Sequence, residues 1–492
     1  MPARQLALDT AAPEQVTRAL DRLREELEIA PDFPADALAE AEAAASAPPG
    51  PPPEADATDL PLVTIDPPGS RDLDQALHLE RDGEGYLVRY AIAALATFVT
   101  PGGALDRAVH DRGVTVYGPT GSYPLHPAAL SAGAASLLPG EDRPAYLWQL
   151  RLDGAGELVE ASVDLARVRS RAQLTYEQIQ GALDGGPDSG LPPSVPADLP
   201  SLLRAVGQLR ERIERDRGGV SLDIPEQLVE ENDHGYVLAY RATLPVEGWN
   251  AQISLLTGMA AAQMMLDAGV GVLRTLPAAD PRDVERLRRS ARALGVDWSR
   301  ETPYADLLHR LDSGVPAHAA FLNEATLLFR GAGYLVLGGQ EHQPEETRHA
   351  AIAADYAHVT APLRRLVDRY GLEICRAHCA GAEVPPWVLE GLDGLPETMA
   401  TTTRRANAYE RGAVDALEAL VLQNRVGDTF DGVILEADDG KDGLRHGTVA
   451  VAEPAVHGRI EGRDLPVGEP VTVRLVDVDV PERRVRFEPA DS

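Results

Sequence analysis

"VTIDPPGSRDLDQA", residues 63–76, places Asp66, Asp72 and Asp74 on one short turn and follows them with the uncharged Gln75. The preceding Leu-Pro-Leu-Val reads as a buried strand. Pro67, Pro68 and Gly69 cannot continue a sheet ladder, so the chain must turn there. Three carboxylates at a strand end repel one another unless something neutralises them. Their oxygen ligands suit a hard divalent cation. Asp72 and Asp74 are two apart and share a face of an extended segment. Asp66 folds back toward them across the Pro-Gly turn. Such a cluster can hold one or two magnesium ions that position a phosphodiester, activate water and neutralise the leaving oxygen. A solvated acidic turn with helix-capping aspartates is the competing reading.

Length and composition bound the alternatives. With 492 residues the chain is too long for one ordinary core and calls for two or three domains. No apolar run reaches the roughly 18 residues needed to span a bilayer, and the N-terminus lacks a signal-peptide pattern, so no membrane partner is expected. Two cysteines cannot staple a chain of this size, which points to a reducing cytoplasm. The net charge of −31 repels a polyanion at long range. A local cationic channel can still act once salt screens the far field. Lys441 is the only lysine, so nearly every cation is a guanidinium.

Residues 13–46 predict two short helices, followed by the Pro-rich linker "SAPPGPPPEADATD". From about residue 58 the pattern is mixed. "YLVRYAIAALATFV" and "AYLWQLRLDGAGELVEASVDLARVRSR" read as strands, and "LPSLLRAVGQLRERIERDRGG", "DPRDVERLRRSARALGV" and residues 396–424 as helices. Beyond Val426, short alternating strands separated by Gly and Asp turns make one small barrel. The expected division is therefore 1–57, 58–424 and 425–492.

A second constellation is "YAHVTAPLRRLVDRYG", residues 356–371. Thr360 suits a helix cap and Pro362 its first turn. Arg364 and Arg365 would then lie near a positive helix end fit to receive phosphate. Arg364 and Asp368 are also i, i+4 partners, so an ordinary ion pair explains the same residues.

Together the two stretches resemble the signature blocks of the ribonuclease II and ribonuclease R family of exoribonucleases. The acidic block stands here as "TIDPPGSRDLDQA" and the later block as "YAHVTAPLRRLVD". "PLHPAALSAGAASLLPGEDRPA" and "VRSRAQLTYEQI" lie between them in the family order. The likeness covers about residues 58–424. It implies an α+β fold: an RNB-type catalytic domain of mixed sheet and helices, behind a small helical N-terminal region and ahead of a C-terminal OB-fold barrel.

Carried over residue by residue, the resemblance implies that Asp66, Asp72 and Asp74 hold magnesium, with manganese able to replace it and Gln75 offering an amide oxygen. Asp74 matches the acid on which catalysis depends most, and Arg364 the arginine at the scissile phosphate, a role its planar fork suits. Arg365 adjoins it. Tyr117, Tyr176 and Glu410 match RNA-contacting positions. The implied activity is hydrolysis of single-stranded RNA from its 3′ end to nucleoside 5′-monophosphates, by a single chain without an organic cofactor. An RNA-binding protein on a weakened catalytic scaffold is the alternative. It is motivated by Gln75 in place of a fourth Asp, Ala94 in place of an Ala-Asp position, Leu222 in place of a stacking Phe and Leu255 in place of a Glu. The first 57 residues are also too few for the two cold-shock barrels usual in this family.

Three further features weigh less. Arg167, Arg169 and Arg171 share one face of a strand and suit either an RNA path or a solvated face. Cys375, His378 and Cys379 fall within one helical turn but lack a fourth ligand, so packing is favoured over zinc. Phe430 and Phe487 suit the core of a terminal barrel that carries nearly twice as many acidic as basic residues.

Overall fold

The computed structural model describes residues 13–185, 190–221, 226–232, 235–241, 243–339, 342–439 and 443–490. Leu222 and Lys441 lie outside them.

Two closed five-stranded barrels organise the chain. The first is built from Ala55–Ile65, Gln75–Asp82, Gly85–Ala93, Asp142–Leu152 and Leu158–Leu174, which neighbour one another in that order. Antiparallel pairs join successive strands, and parallel pairing of the first strand to the last, Leu62 with Ser170 and Ile65 with Leu174, closes the ring. Leu62, Leu79, Val88, Tyr90, Trp148 and Leu150 fill it. The expected mixed sheet is thus a barrel, whose closure leaves no sheet edge exposed. Its first strand begins at Ala55, so the Pro-rich linker ends before the expected boundary at 57. The strand expected through Val99 stops at Ala93, because residues 95–97 turn into a short 3-10 helix.

The second barrel comprises Thr429–Asp439, Arg445–Val451, Val456–Gly462, Pro470–Asp479 and Arg484–Pro489. Its spatial order runs first, second, third, fifth, fourth, with the third and fifth strands parallel. That is the OB-type arrangement expected from the sequence. Phe430 and Phe487 meet edge to face inside it, as expected of core residues. The barrel is docked rather than tethered. Buried Glu418 of the Leu395–Leu422 helix accepts the His457 backbone N–H at 2.7 Å and the Gln227 amide at 2.9 Å.

Helices occupy the space between. Pro13–Glu26 buries Val16, Leu20 and Leu23 against Leu395–Leu422, and Ala35–Ser46 packs on the Ala104–Arg112 helix. Pro245–Ala268 has no single apolar stripe and is buried on most sides, so it carries no 3.6-residue signal for sequence reading to find. A small separate core of Leu287, Phe321, Leu322 and neighbours holds the 281–329 helices together. No described helix is long and apolar enough to cross a membrane.

Pro245–Ala268 approaches the 356–365 segment through Gly258, whose carbonyl accepts the Ala357 N–H at 3.0 Å. A Cβ at Gly258 would stand 2.1 Å from the Tyr356 ring and 2.7 Å from the Ala357 oxygen. Overpacking of this kind costs about 1–3 kcal/mol. Gly258→Ala should therefore lower the thermal midpoint by several degrees and displace Tyr356. An unchanged midpoint in a thermal melt would show that the two segments can slide apart.

Candidate active site

The 66–74 turn is tied down along its length. The Asp66 N–H donates to Leu174 O at 3.0 Å, the Gln173 side chain to Ser70 O at 2.8 Å, and the Leu73 N–H to Ser136 Oγ at 3.0 Å. Ser136 Oγ in turn donates to Arg71 O at 2.6 Å. Leu73 is buried between the two aspartates, which sends both carboxylates to the opposite side, as the alternation predicts.

The second segment does not fold as expected. Thr360 caps no helix, because residues 361–365 form a turn and the helix begins at Leu366. The role of local anchor falls to Asp368 instead, which accepts the Ala361 N–H at 2.7 Å. The competing reading, an ion pair of Arg364 with Asp368, is not realised either. Asp368 grips Arg365 through two bonds of 2.8 and 2.9 Å, leaving Arg364 to reach across the fold. The turn is sewn to the chain leading to Tyr117: Thr115 N–H donates to Arg364 O, and Leu366 N–H to Gly113 O, both at 2.9 Å.

The two segments meet at Asp74. One carboxylate oxygen accepts the Leu363 N–H at 2.7 Å and the other accepts Arg364 Nε at 2.7 Å. Asp74 is 1% exposed, whereas the Arg364 side chain is 40% exposed and opens onto a cavity of about 560 Å³. Burial raises the Asp74 pKa, and Arg364 and the Leu363 N–H pull it back. The 2.7 Å charge-assisted bond from Arg364 Nε favours the ionised form. Burial disfavours the Arg364 charge, but Asp74, Tyr117 and Asp72 together more than reverse that effect. Tyr117, 39% exposed, donates its hydroxyl to Asp72 at 3.0 Å, and burial raises its own pKa.

Asp66 differs from its neighbours. Its buried Oδ2 has no hydrogen-bond partner, and burial pushes its carboxyl up to about 6 against the pull of Arg364, with Asp72 adding to the rise. An orphaned carboxylate oxygen beside a second carboxylate is donor chemistry that fits a hard divalent cation. The three-acid cage expected from the sequence is not assembled, however. Among the described residues, no group of three or more carboxylates, imidazoles or thiolates stands close enough to hold an ion. Asp74 turns both of its oxygens toward Leu363 and Arg364 instead. Gln75 donates its amide nitrogen to Thr360 O, so its oxygen is the end left for a ligand.

Gln75, Tyr117, Tyr176, Arg364, Arg365 and Glu410 all line the cavity. Tyr176 opens the Tyr176–Leu183 helix, which Thr175 caps, and hydrogen-bonds Asn250. Glu410 accepts the Tyr117 backbone N–H, and burial raises its carboxyl. Leu255 lines the same cavity, whereas Ala94 is fully buried away from it. The arginine stripe is not part of the site. Arg167 pairs with Asp56 and Arg169 with Asp142 on neighbouring strands, while Arg171 bonds Thr58 O. Cys375 is buried and donates to Ala261 O, consistent with packing. Sequence reading missed Asn250, Ser254, Arg274, Tyr334 and Asn407, which line the cavity from helices and a hairpin remote from both motifs. Only the lack of an acidic neighbour in "GVLRTL" singles out Arg274 in the sequence.

Residues 54–378 match the RNB domain family, and residues 428–490 the RNase II-type exonuclease C-terminal S1 domain. The chain is 27% identical over 456 residues to Ribonuclease R of Aquifex aeolicus, an alignment covering 86% of this chain and 63% of that protein. It thus spans less than two thirds of that relative's length. An Arabidopsis thaliana protein named an inactive exonuclease is 28% identical over 339 residues, covering 64% of this chain and 32% of that one. Among solved structures, Mycoplasma genitalium RNase R in complex with ribose-methylated single-stranded RNA superposes with a TM-score of 0.84 at 18% identity. It covers 97% of this chain and 78% of that one.

Asp66 sets a pH dependence. Its folded pKa lies above the value near 3.8 of a free carboxyl, so its protonated form favours folding. That contribution is full below about pH 4 and lost as pH rises through about 6. In EDTA, Asp66→Asn should therefore flatten the dependence of the thermal midpoint on pH between 4 and 7, by about 2 °C. A midpoint profile parallel to that of the wild type would place Asp66 in water.

Proposed function

Because the chain belongs to the RNB domain family, we propose that it is a metal-dependent hydrolytic exoribonuclease. It takes single-stranded RNA from the 3′ end and releases nucleoside 5′-monophosphates. The observation that carries this reading is the Asp74–Arg364 pair, formed by residues 290 positions apart at the mouth of one cavity, with Tyr117 bridging to Asp72. Arg364 uses only Nε on Asp74, which leaves the rest of its fork for the oxygens of a phosphodiester. Asp74 and the Leu363 N–H fix the direction in which that fork points. Tyr117 offers a sequence-tolerant stacking face, and Tyr176 and Glu410 flank the strand from facing helices. Asp66 and Asp72, with the Gln75 amide oxygen, would hold magnesium or, in its place, manganese. The bound ion would activate water and neutralise charge on the phosphoryl oxygens. In this reading the protein acts as a single chain in the cytoplasm, where its two free cysteines stay reduced.

A second reading, RNA binding without turnover, is favoured by one observation: no three-carboxylate cage stands among the described residues, and Gln75 brings no charge. A labelled single-stranded RNA ladder with magnesium or manganese separates the two, since mononucleotide release supports the first and binding without decay the second.

Two substitutions probe the pair itself. Asp74→Asn should abolish hydrolysis and leave RNA bound, because the amide keeps the size but not the charge that orients Arg364. Arg364→Lys should lower turnover by at least about tenfold with little change in affinity, since lysine keeps the charge and loses the fork. Initial rates and Kd on one oligoribonucleotide check both, and full activity in Asp74→Asn would refute the assignment.

A further inference from the structure

Three guanidinium groups line the cavity, and two of them are matched by acids. Arg364 is held by Asp74 and Arg365 by Asp368. Arg274 is not. Among the described residues no carboxylate lies within ion-pair distance of it, and its guanidinium makes one long hydrogen bond, 3.5 Å to Gly333 O. The group is nonetheless half-buried, and its fork keeps donors that the fold does not use.

Its placement is firm. Arg274 and Tyr334 are directly opposed in the hairpin of Val270–Thr275 and Gly333–Gly338, and the guanidinium lies 4.8 Å from the Tyr334 ring centroid. Tyr334 is anchored in turn by a 2.8 Å hydrogen bond between its hydroxyl and His358 Nδ1. The Arg274 backbone N–H donates to Tyr356 O at 2.8 Å. Burial, with Arg365 and Arg274 adding to it, keeps His358 neutral, so it brings no competing charge. The two acids that line the cavity are otherwise engaged. Glu247 pairs with Arg241, and Glu410 accepts the Tyr117 N–H.

We propose that Arg274, seated on Tyr334, is a second phosphate-binding position in the cavity, taking a backbone phosphate of the RNA strand other than the one at Arg364. The inference rests on the RNA reading above, although not on turnover. A guanidinium with a free fork suits a phosphodiester, and stacking on an aromatic ring holds it in place without a counter-charge. Two fixed cations in one cavity would set the register of the strand as well as bind it.

The test is binding of a single-stranded oligoribonucleotide in EDTA across a salt titration. Arg274→Gln should weaken Kd about tenfold and make the slope of log K against log salt shallower by about 0.7, the loss of one phosphate contact on a single strand. Arg274→Lys should keep the slope. Wild-type Kd and slope in Arg274→Gln would overturn the proposal. A scan of methylphosphonate linkages on the unaltered protein asks the same question without any variant. At least two sensitive linkages near the 3′ end are expected, and a single one overturns the proposal. If the wild type shows both effects but releases no mononucleotides, the exonuclease reading fails and this one stands.

Discussion

Everything proposed for the cavity depends on one buried carboxylate. Asp74 stands at the head of a barrel strand and holds both the backbone and the side chain of a turn 290 residues downstream. Removing one partner of such a pair leaves an uncompensated charge in the interior, which costs about 3–5 kcal/mol when both partners are fully buried. Here Arg364 is 40% exposed, so the penalty is smaller and falls mainly on orientation. The bond therefore acts chiefly as a positioning device. It decides where the free part of the guanidinium points.

Around that bond the structure uses paired fixation. Ser136 and Gln173 restrain the acidic turn, while Asp368, Gly113 and Thr115 restrain the arginine turn. Gln173 belongs to a barrel strand and Asp368 to a buried helix, while Ser136, Gly113 and Thr115 lie in the connections next to such elements. The site thus inherits rigidity from the closed barrel and from the Pro245–Ala268 and Leu395–Leu422 helices that wall the cavity. The C-terminal barrel adds to the same frame, because Glu418 on the cavity helix is bonded into it.

Charge is balanced locally rather than globally. A chain at −31 repels RNA at long range. Its barrel-surface arginines are neutralised by Asp56 and Asp142 and add nothing to the cavity. Inside the cavity, acids meet two of three guanidiniums, and among the described residues none meets Arg274. Capture of a polyanion by this protein then depends on short-range fit, and hence on salt.

Much of this was legible in the sequence. Alternation and turn residues marked the strands of the second barrel and those of the first except Gln75–Asp82, helical spacing marked the Leu199–Asp216, Pro281–Ala293 and Leu395–Leu422 helices, and the two motifs marked Asp66, Asp72, Asp74 and Arg364. The Pro245–Ala268 helix was hidden because a helix buried on most sides has no amphipathic period to detect. Local spacing left two choices open: i, i+4 geometry offered Asp368 as a partner for Arg364, and a shared strand face suited either an RNA path or a solvated face for Arg167 and Arg169. Sequence determines which side chains are available and how each segment prefers to fold, since those preferences act over a few residues. Only the tertiary structure decided which charge meets which, because Coulomb and hydrogen-bond energies depend on distance in space. It took the folded barrel to bring Asp74 to Arg364 and, among the described residues, to leave Arg274 without an acid.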